Sequence, residues 1–165
     1  MIYKAIGSLL LLLAGGYVTI TVRRFEYRRL RVLDGYLSLL YYVKGQIDCY
    51  AMPIRDILTR ADPCVLAACL GLGREETGAL GGCDSLPAML RESRLYLEPE
   101  AERLLSTFTA ELGSVYRAEQ VVRCDYYIEA LTQERRKLCD ALPARLRITS
   151  TLCLCCALGA AVLLW

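Results

Sequence analysis

Two stretches of eighteen residues, Ala5 to Val22 and Ile148 to Trp165, contain no charged side chain. Wound as helices at about 1.5 Å per residue, each would reach roughly 27 Å, close to the thickness of a bilayer's hydrocarbon core. Between them the pattern changes to a three-four repeat. Leu30, Leu33, Leu37, Leu40, Lys44 and Ile47, with Val32, Tyr36, Leu39, Val43 and Tyr50 on an adjoining stripe, predict a long helix that continues the first stretch. So wide an apolar face belongs inside a bundle. Val121, Cys124, Ile128, Leu131, Arg135, Leu138 and Leu142 repeat the spacing and predict a last helix from about Ser114 to Leu142. Pro143 should break that helix just before the second apolar stretch, because its ring removes a ladder hydrogen bond.

Shorter helices lie between these two. "AMPIRDILTRA" predicts a second helix with Pro53 at its start, and "ADPCVLAACLG" a third with Asp62 as cap, Pro63 as first residue and Gly71 as stop. The glycine-rich run from 71 to 85 reads as the main loop, without the spacing of a phosphate-binding loop. "SLPAMLRESRLYL" predicts a fourth helix from about Leu86, and "EPEAERLLSTFTAELG" a fifth from Pro99 to a stop at Gly113. No segment alternates like a strand. The expected fold is all-α: a first span over 1–22, an antiparallel bundle of about six helices over 23–147, and a second span over 148–165. The first and last helices should pair antiparallel as a stalk, with the shorter ones packed at its far end.

Charge decides which side of a membrane the bundle occupies. Arg23, Arg24, Arg28, Arg29 and Arg31 follow the first apolar stretch, and Arg135, Arg136, Lys137, Arg145 and Arg147 precede the second. Arginines flanking a span stay on the cytoplasmic side, so these ten set the topology and place the central segment in the cytoplasm. Contact with anionic lipid is their second expected role. A cleaved leader is the competing reading of the first stretch, since "MIYK" supplies a charged start and "LLLAGG" small residues. The apolar run continues past those glycines, however, and five arginines after a cleavage point would hinder export.

The acids concentrate in between. Residues 32 to 134 hold sixteen acids against nine basic residues, a net charge of −7 that disfavours nucleic acid as a partner. Nine scattered cysteines and no histidine fit reduced thiols used as small apolar side chains, with no metal site expected. Within the apolar stretches, Cys153, Ala157 and Ala161 recur every four residues and Gly15 and Gly16 thin the first. Such faces allow close helix packing in lipid, either within this chain or against another membrane protein.

Catalysis has little to work with. There is no imidazole base, and the serines and cysteines have no evident activating partner. "REE" at 74 to 76 reads as a solvated loop, and "EPEAE" at 98 to 102 as acids on a helix N-terminus. No catalytic residue and no cofactor is therefore assigned.

The layout resembles the stage III sporulation protein AB family of endospore-forming bacteria over nearly the whole chain. That family has a long helix ending close to Glu-x-Glu-Ile-x-Tyr, then Pro-Leu-x-Glu-Ala-Leu. Here "KGQIDCY" and "MPIRDIL" match it at Ile47, Tyr50, Pro53, Ile54, Asp56 and Leu58. The family's Leu-Gly-x-Ser-Asp-x-x-x-Gln turn is matched by "LGSVYRAEQ" at Leu112, Gly113 and Gln120. Two family glutamates are replaced by Lys44 and Gln46, and an aspartate by Tyr116. The resemblance implies a component of the channel complex built across the two membranes around the forespore. It further implies a helical domain similar to the cytoplasmic domains of type II secretion system F proteins.

On that reading the chain is a non-catalytic, membrane-anchored platform that docks a cytoplasmic assembly ATPase and packs with other integral membrane proteins of the complex. A platform for a pilus or secretion-like apparatus and a small membrane-bound ligand sensor are the alternatives. Asp48, Asp56, Asp62, Glu75, Glu76 and Asp84 lie nearest the expected helix tips and are the candidate docking acids.

Overall fold

The computed structural model of the chain describes residues 2–50, 57, 60–72, 85–114 and 116–163, and every regular element among them is helical. These are α1 (Ile2–Tyr50), α2 (Pro63–Cys69), α3 (Leu86–Ser93), a 3-10 turn (Arg94–Tyr96), α4 (Pro99–Glu111) and α5 (Arg117–Leu163). The expected second helix falls on residues that are mostly outside the described set. Its Ile57 is described and is fully buried in the core.

Local chemistry sets the short helices. Asp62 caps α2, its carboxylate accepting from the Cys64 amide at 2.8 Å, and Pro63 fills the first position, where an amide would lack a partner. Gly71 ends that segment at φ 70°, a left-handed conformation open to glycine without steric cost. Proline again stands in the first turn of α3 and α4, and Gly113 turns the chain after α4 at φ 84°.

The chain divides into two compact units, Arg28–Lys137 and Met1–Tyr27 with Leu138–Trp165. In the first, the α1 stripe is buried as its spacing demands: Val32, Leu33, Tyr36, Leu37, Leu39, Leu40, Val43 and Ile47 all belong to the core. Cys124, Ile128 and Leu131 of α5 face it, and Met89, Leu105 and Phe108 come from the shorter helices. Two ion pairs mark the register between the long helices: Lys44 Nζ meets Asp125 Oδ1 at 2.5 Å, and Arg135 meets Asp34. Moving ten residues forward on α1 moves ten backward on α5, so they run antiparallel as expected. Gly35 allows α2 to lie on α1, since a Cβ there would come within 2.6 Å of the Ala68 carbonyl carbon and the Cys69 nitrogen.

The expected break at Pro143 does not occur; α5 runs through it. One proline removes a single ladder bond and crowds one carbonyl, at about 3 kcal/mol. Ending the helix would strand up to four carbonyls and four amides at the two new ends, each worth about 1 kcal/mol as a hydrogen bond. Continuity is the less costly solution.

In the second unit, a Cβ on Gly15 would stand 3.4 Å from Ala157 Cβ and 3.6 Å from the Cys153 carbonyl oxygen, while Gly16 has nothing within 4 Å. The small-residue face is thus used within the chain, at Gly15. Around it Leu13, Tyr17, Ile20, Ile148, Leu152 and Leu154 are exposed apolar side chains. Hydroxyls in this unit donate back to their own helix, Thr19 to the Gly15 carbonyl and Thr149 to the Arg145 carbonyl, each at 2.9 Å. Such bonding lets polar side chains sit in apolar surroundings. Among the described residues one helix, Arg117–Ala160, is long and apolar enough to cross a membrane.

Candidate functional site

The basic residues fall into two groups that the sequence does not distinguish. Arg28 lays its guanidinium over the Tyr96 ring, 4.6 Å from the centroid, and Arg29 Nη2 meets Glu98 Oε1 at 2.6 Å. Both are half-buried and hold the segment between α3 and α4 against α1. Arg28 also packs on Gly71, where a Cβ would lie 2.9 Å from its Nε. Arg135 pairs with Asp34 across the long helices, and Lys137 with Glu134 at 2.5 Å along α5. Arg23, Arg24, Arg31, Arg136, Arg145 and Arg147 are exposed. Side chains expected to set topology and to meet lipid therefore include three, Arg28, Arg29 and Arg135, that make contacts between elements of the fold.

The candidate docking acids also separate. Asp62 is exposed but its carboxylate is engaged as the α2 cap. Asp48 is exposed near the end of α1, and its charge adds to the raised pKa of Lys44, after the hydrogen bond that Lys44 donates to Asp125 and the charge of that carboxylate. Asp56, Glu75, Glu76 and Asp84 lie outside the described residues. Sequence reasoning passed over Asp125 and Glu129, which stand exposed one helical turn apart on α5. Their four-residue spacing was the available signal.

Polar contacts elsewhere are architectural. Tyr36 Oη and Ser93 Oγ lie 2.7 Å apart in the core. Tyr127 donates to Glu111 at 2.9 Å, stacks edge-on against Phe108, and has its phenol pushed up to about 12 by burial and by that carboxylate. Burial likewise pushes the Cys69 thiol up to about 12, which keeps it protonated and unreactive. Arg103 holds the Glu100 carboxyl below its ordinary value through a hydrogen bond on the α4 surface. Among the described residues no group of three or more histidine, cysteine, aspartate or glutamate side chains could hold a metal ion.

The Leu112–Gly113–Gln120 motif acquires a physical meaning here. Gly113 turns the chain with positive φ, and its amide donates to Gln120 Oε1 at 3.2 Å; Gln120 is 3% exposed. The glutamine thus ties the loop between α4 and α5 to the first turn of α5. Of the earlier motif, Ile47 is buried in the core. The side chain of Tyr50, and Pro53, Ile54, Asp56 and Leu58 altogether, lie outside what is described. Lys44, where the family has glutamate, still makes a polar contact across to α5.

The family model for stage III sporulation protein AB matches residues 4–165. The chain belongs to that family. Membership gives it a role in sporulation, in a family of structural components and not a known family of enzymes. No curated protein and no solved structure matches it.

Proposed function

We propose that this family member is a membrane-anchored platform of the channel complex between mother cell and forespore, docking a cytoplasmic ATPase without catalysing a reaction itself. Two spans, Ala5 to Val22 and Ile148 to Trp165, hold it in the mother cell membrane around the forespore, with residues 23–147 in the cytoplasm. The observation that carries this reading is the division of surface. The helix ends expose Leu13, Tyr17, Ile20, Leu152 and Leu154, as lipid-facing segments do, whereas the central unit buries its apolar stripe and exposes acids such as Asp48 and Glu129.

An acidic surface suits a basic face on the ATPase, with encounter accelerated by charge and weakened by salt. Asp48 is the position to change, because Asp62 is engaged in a cap whose loss would confound the result. Tagged full-length protein from sporulating cells should retain an ATPase after gentle crosslinking. Asp48→Lys should slow its capture and flatten the salt dependence while helical content stays the same. If no ATPase is retained, the platform reading fails; if capture is insensitive both to salt and to Asp48→Lys, electrostatic docking fails and an apolar contact takes its place.

A further inference from the structure

The arginines nearest the apolar surface are sorted by what they touch. Arg28 and Arg29 are taken up by Tyr96 and Glu98, as described above. Arg23 and Arg24 on α1 and Arg147 on α5 are exposed. All three belong to the unit formed by Met1–Tyr27 and Leu138–Trp165. Their heights on the helix pair can be compared. Gly15 stands against Ala157 Cβ and the Cys153 carbonyl, so it is level with the middle of that stretch, about residue 155. Eight residues along α1, at about 1.5 Å each, bring Arg23 roughly 12 Å from this contact. Eight residues back along α5 bring Arg147 the same distance in the same direction.

Arg23, Arg24 and Arg147 therefore form one level of positive charge drawn from both helices. On one side of it lie exposed apolar side chains, Tyr17 (71% exposed) and Ile20 on α1 and Leu152 on α5. Exposed Phe25 and Tyr27 flank it on α1. Aromatic and arginine side chains next to an apolar band match the order of a membrane interface, where ring and guanidinium reach the headgroups. We infer that this level binds the headgroups of anionic phospholipids and makes the protein select them over zwitterionic ones. Its occupant is a lipid surface and not a soluble anion, because the apolar band and the charges are continuous on the same two helices. The inference rests on the membrane-anchor part of the proposed function.

An arginine near an anionic surface is worth about fivefold in affinity, so loss of three should be measurable. The test uses the purified full chain. In phosphatidylcholine vesicles it should resist extraction by alkaline carbonate; a chain that washes off overturns both this inference and the membrane reading. In detergent micelles doped equally with phosphatidylglycerol and phosphatidylcholine, native mass spectrometry should show phosphatidylglycerol retained preferentially. Changing Arg23, Arg24 and Arg147 together to glutamine should lower that ratio at least about fivefold, whereas lysine at all three should keep it within about twofold. Arg91→Gln with Arg117→Gln, exposed arginines of the other unit, should leave it unchanged. Should the triple glutamine variant lose helical content, Arg147→Gln alone, expected to lower the ratio severalfold, carries the test. A wild-type chain with no preference, glutamine variants that keep it, equal loss in the Arg91 and Arg117 variant, or displacement of lipid by inorganic phosphate would each overturn the inference. Any of these four leaves the membrane anchor itself standing.

Discussion

Gly35 and Ala68 meet so closely that a Cβ on the glycine would stand 2.6 Å from the alanine's carbonyl carbon. The contact is helix backbone against helix backbone, and neither side can give way by turning a side chain. It is the reason a glycine is tolerated inside α1, where it lowers helix propensity by about 1 kcal/mol relative to alanine.

Gly35→Ala should therefore destabilise the protein, by about 1–3 kcal/mol for overpacking less what propensity returns. Gly45→Ala is the matched control, since nothing lies within 4 Å of a Cβ at that position of the same helix. It should be neutral or stabilise by up to about 1 kcal/mol. Urea unfolding of the full chain in micelles, followed by circular dichroism, separates the two. Equal stability in both variants would show that α2 does not rest on α1 at Gly35.

Gln120 and Gly113 form a second such pair, joined by the 3.2 Å hydrogen bond between side chain and amide. Gln120→Ala should cost about 1 kcal/mol, as for a typical internal hydrogen bond, and Gly113→Ala about 1–2 kcal/mol for forcing a side chain into the left-handed region. The double variant should cost less than the sum, because moving the loop already breaks the bond that Gln120→Ala removes. Strict additivity would mean that the glutamine is kept for some purpose other than closing this turn.

Alkaline stability follows from the buried acids. Cys69 rises from 9.0 to about 12 on folding and Tyr127 from 10.0 to about 12. A raised folded pKa contributes stability that is fully present below the unfolded pKa and is lost as pH climbs through the folded one. The unfolded chain thus sheds protons that the folded chain keeps, and stability should begin to fall near pH 9 and continue to fall toward pH 12. Lys44, whose pKa is raised by its bond to Asp125, adds loss at the upper end of this window. Cys69→Ala should delay the onset and Tyr127→Phe should flatten the limb above pH 10, both read as urea midpoints against pH. An unchanged limb in both variants would place the alkaline loss in other groups.

The sequence carried the elements that depend on near neighbours. Asp62, Pro63 and Gly71 bound α2 as their types require, Pro99 and Gly113 bound α4 and its turn, and the three-four stripes became the core faces of α1 and α5. Relationships between distant positions were not legible. Gly35 reads as an ordinary helix-interior glycine until α2 is laid across it, and Ser93 acquires its partner Tyr36 from 57 residues away. Spacing cannot tell Arg28, spread over Tyr96, from Arg24, which is exposed. Pro143 misled for a related reason: a local rule prices the lost hydrogen bond but not the helix ends that a break would create.

Packing of the apolar helix ends is open to a chemical test. A Cβ on Gly15 would stand 3.4 Å from Ala157 Cβ, just at the lower edge of the roughly 3.5–4.5 Å that a disulfide spans, whereas Gly16 has nothing within 4 Å. With the native cysteines changed to alanine, the pair Gly15→Cys and Ala157→Cys should crosslink within the chain when membranes are treated with a mild oxidant. Gly16→Cys with Ala157→Cys, displaced by about 100° around α1, should not. The crosslinked form would run faster on a denaturing gel and return to its original mobility on reduction. If the Gly16 pair crosslinked as readily, the two helix ends would be rotating freely against each other. If neither pair closed within the chain but dimers formed through Ala157→Cys, the small-residue face would be occupied by a second protein, and the antiparallel contact at Gly15 would be wrong.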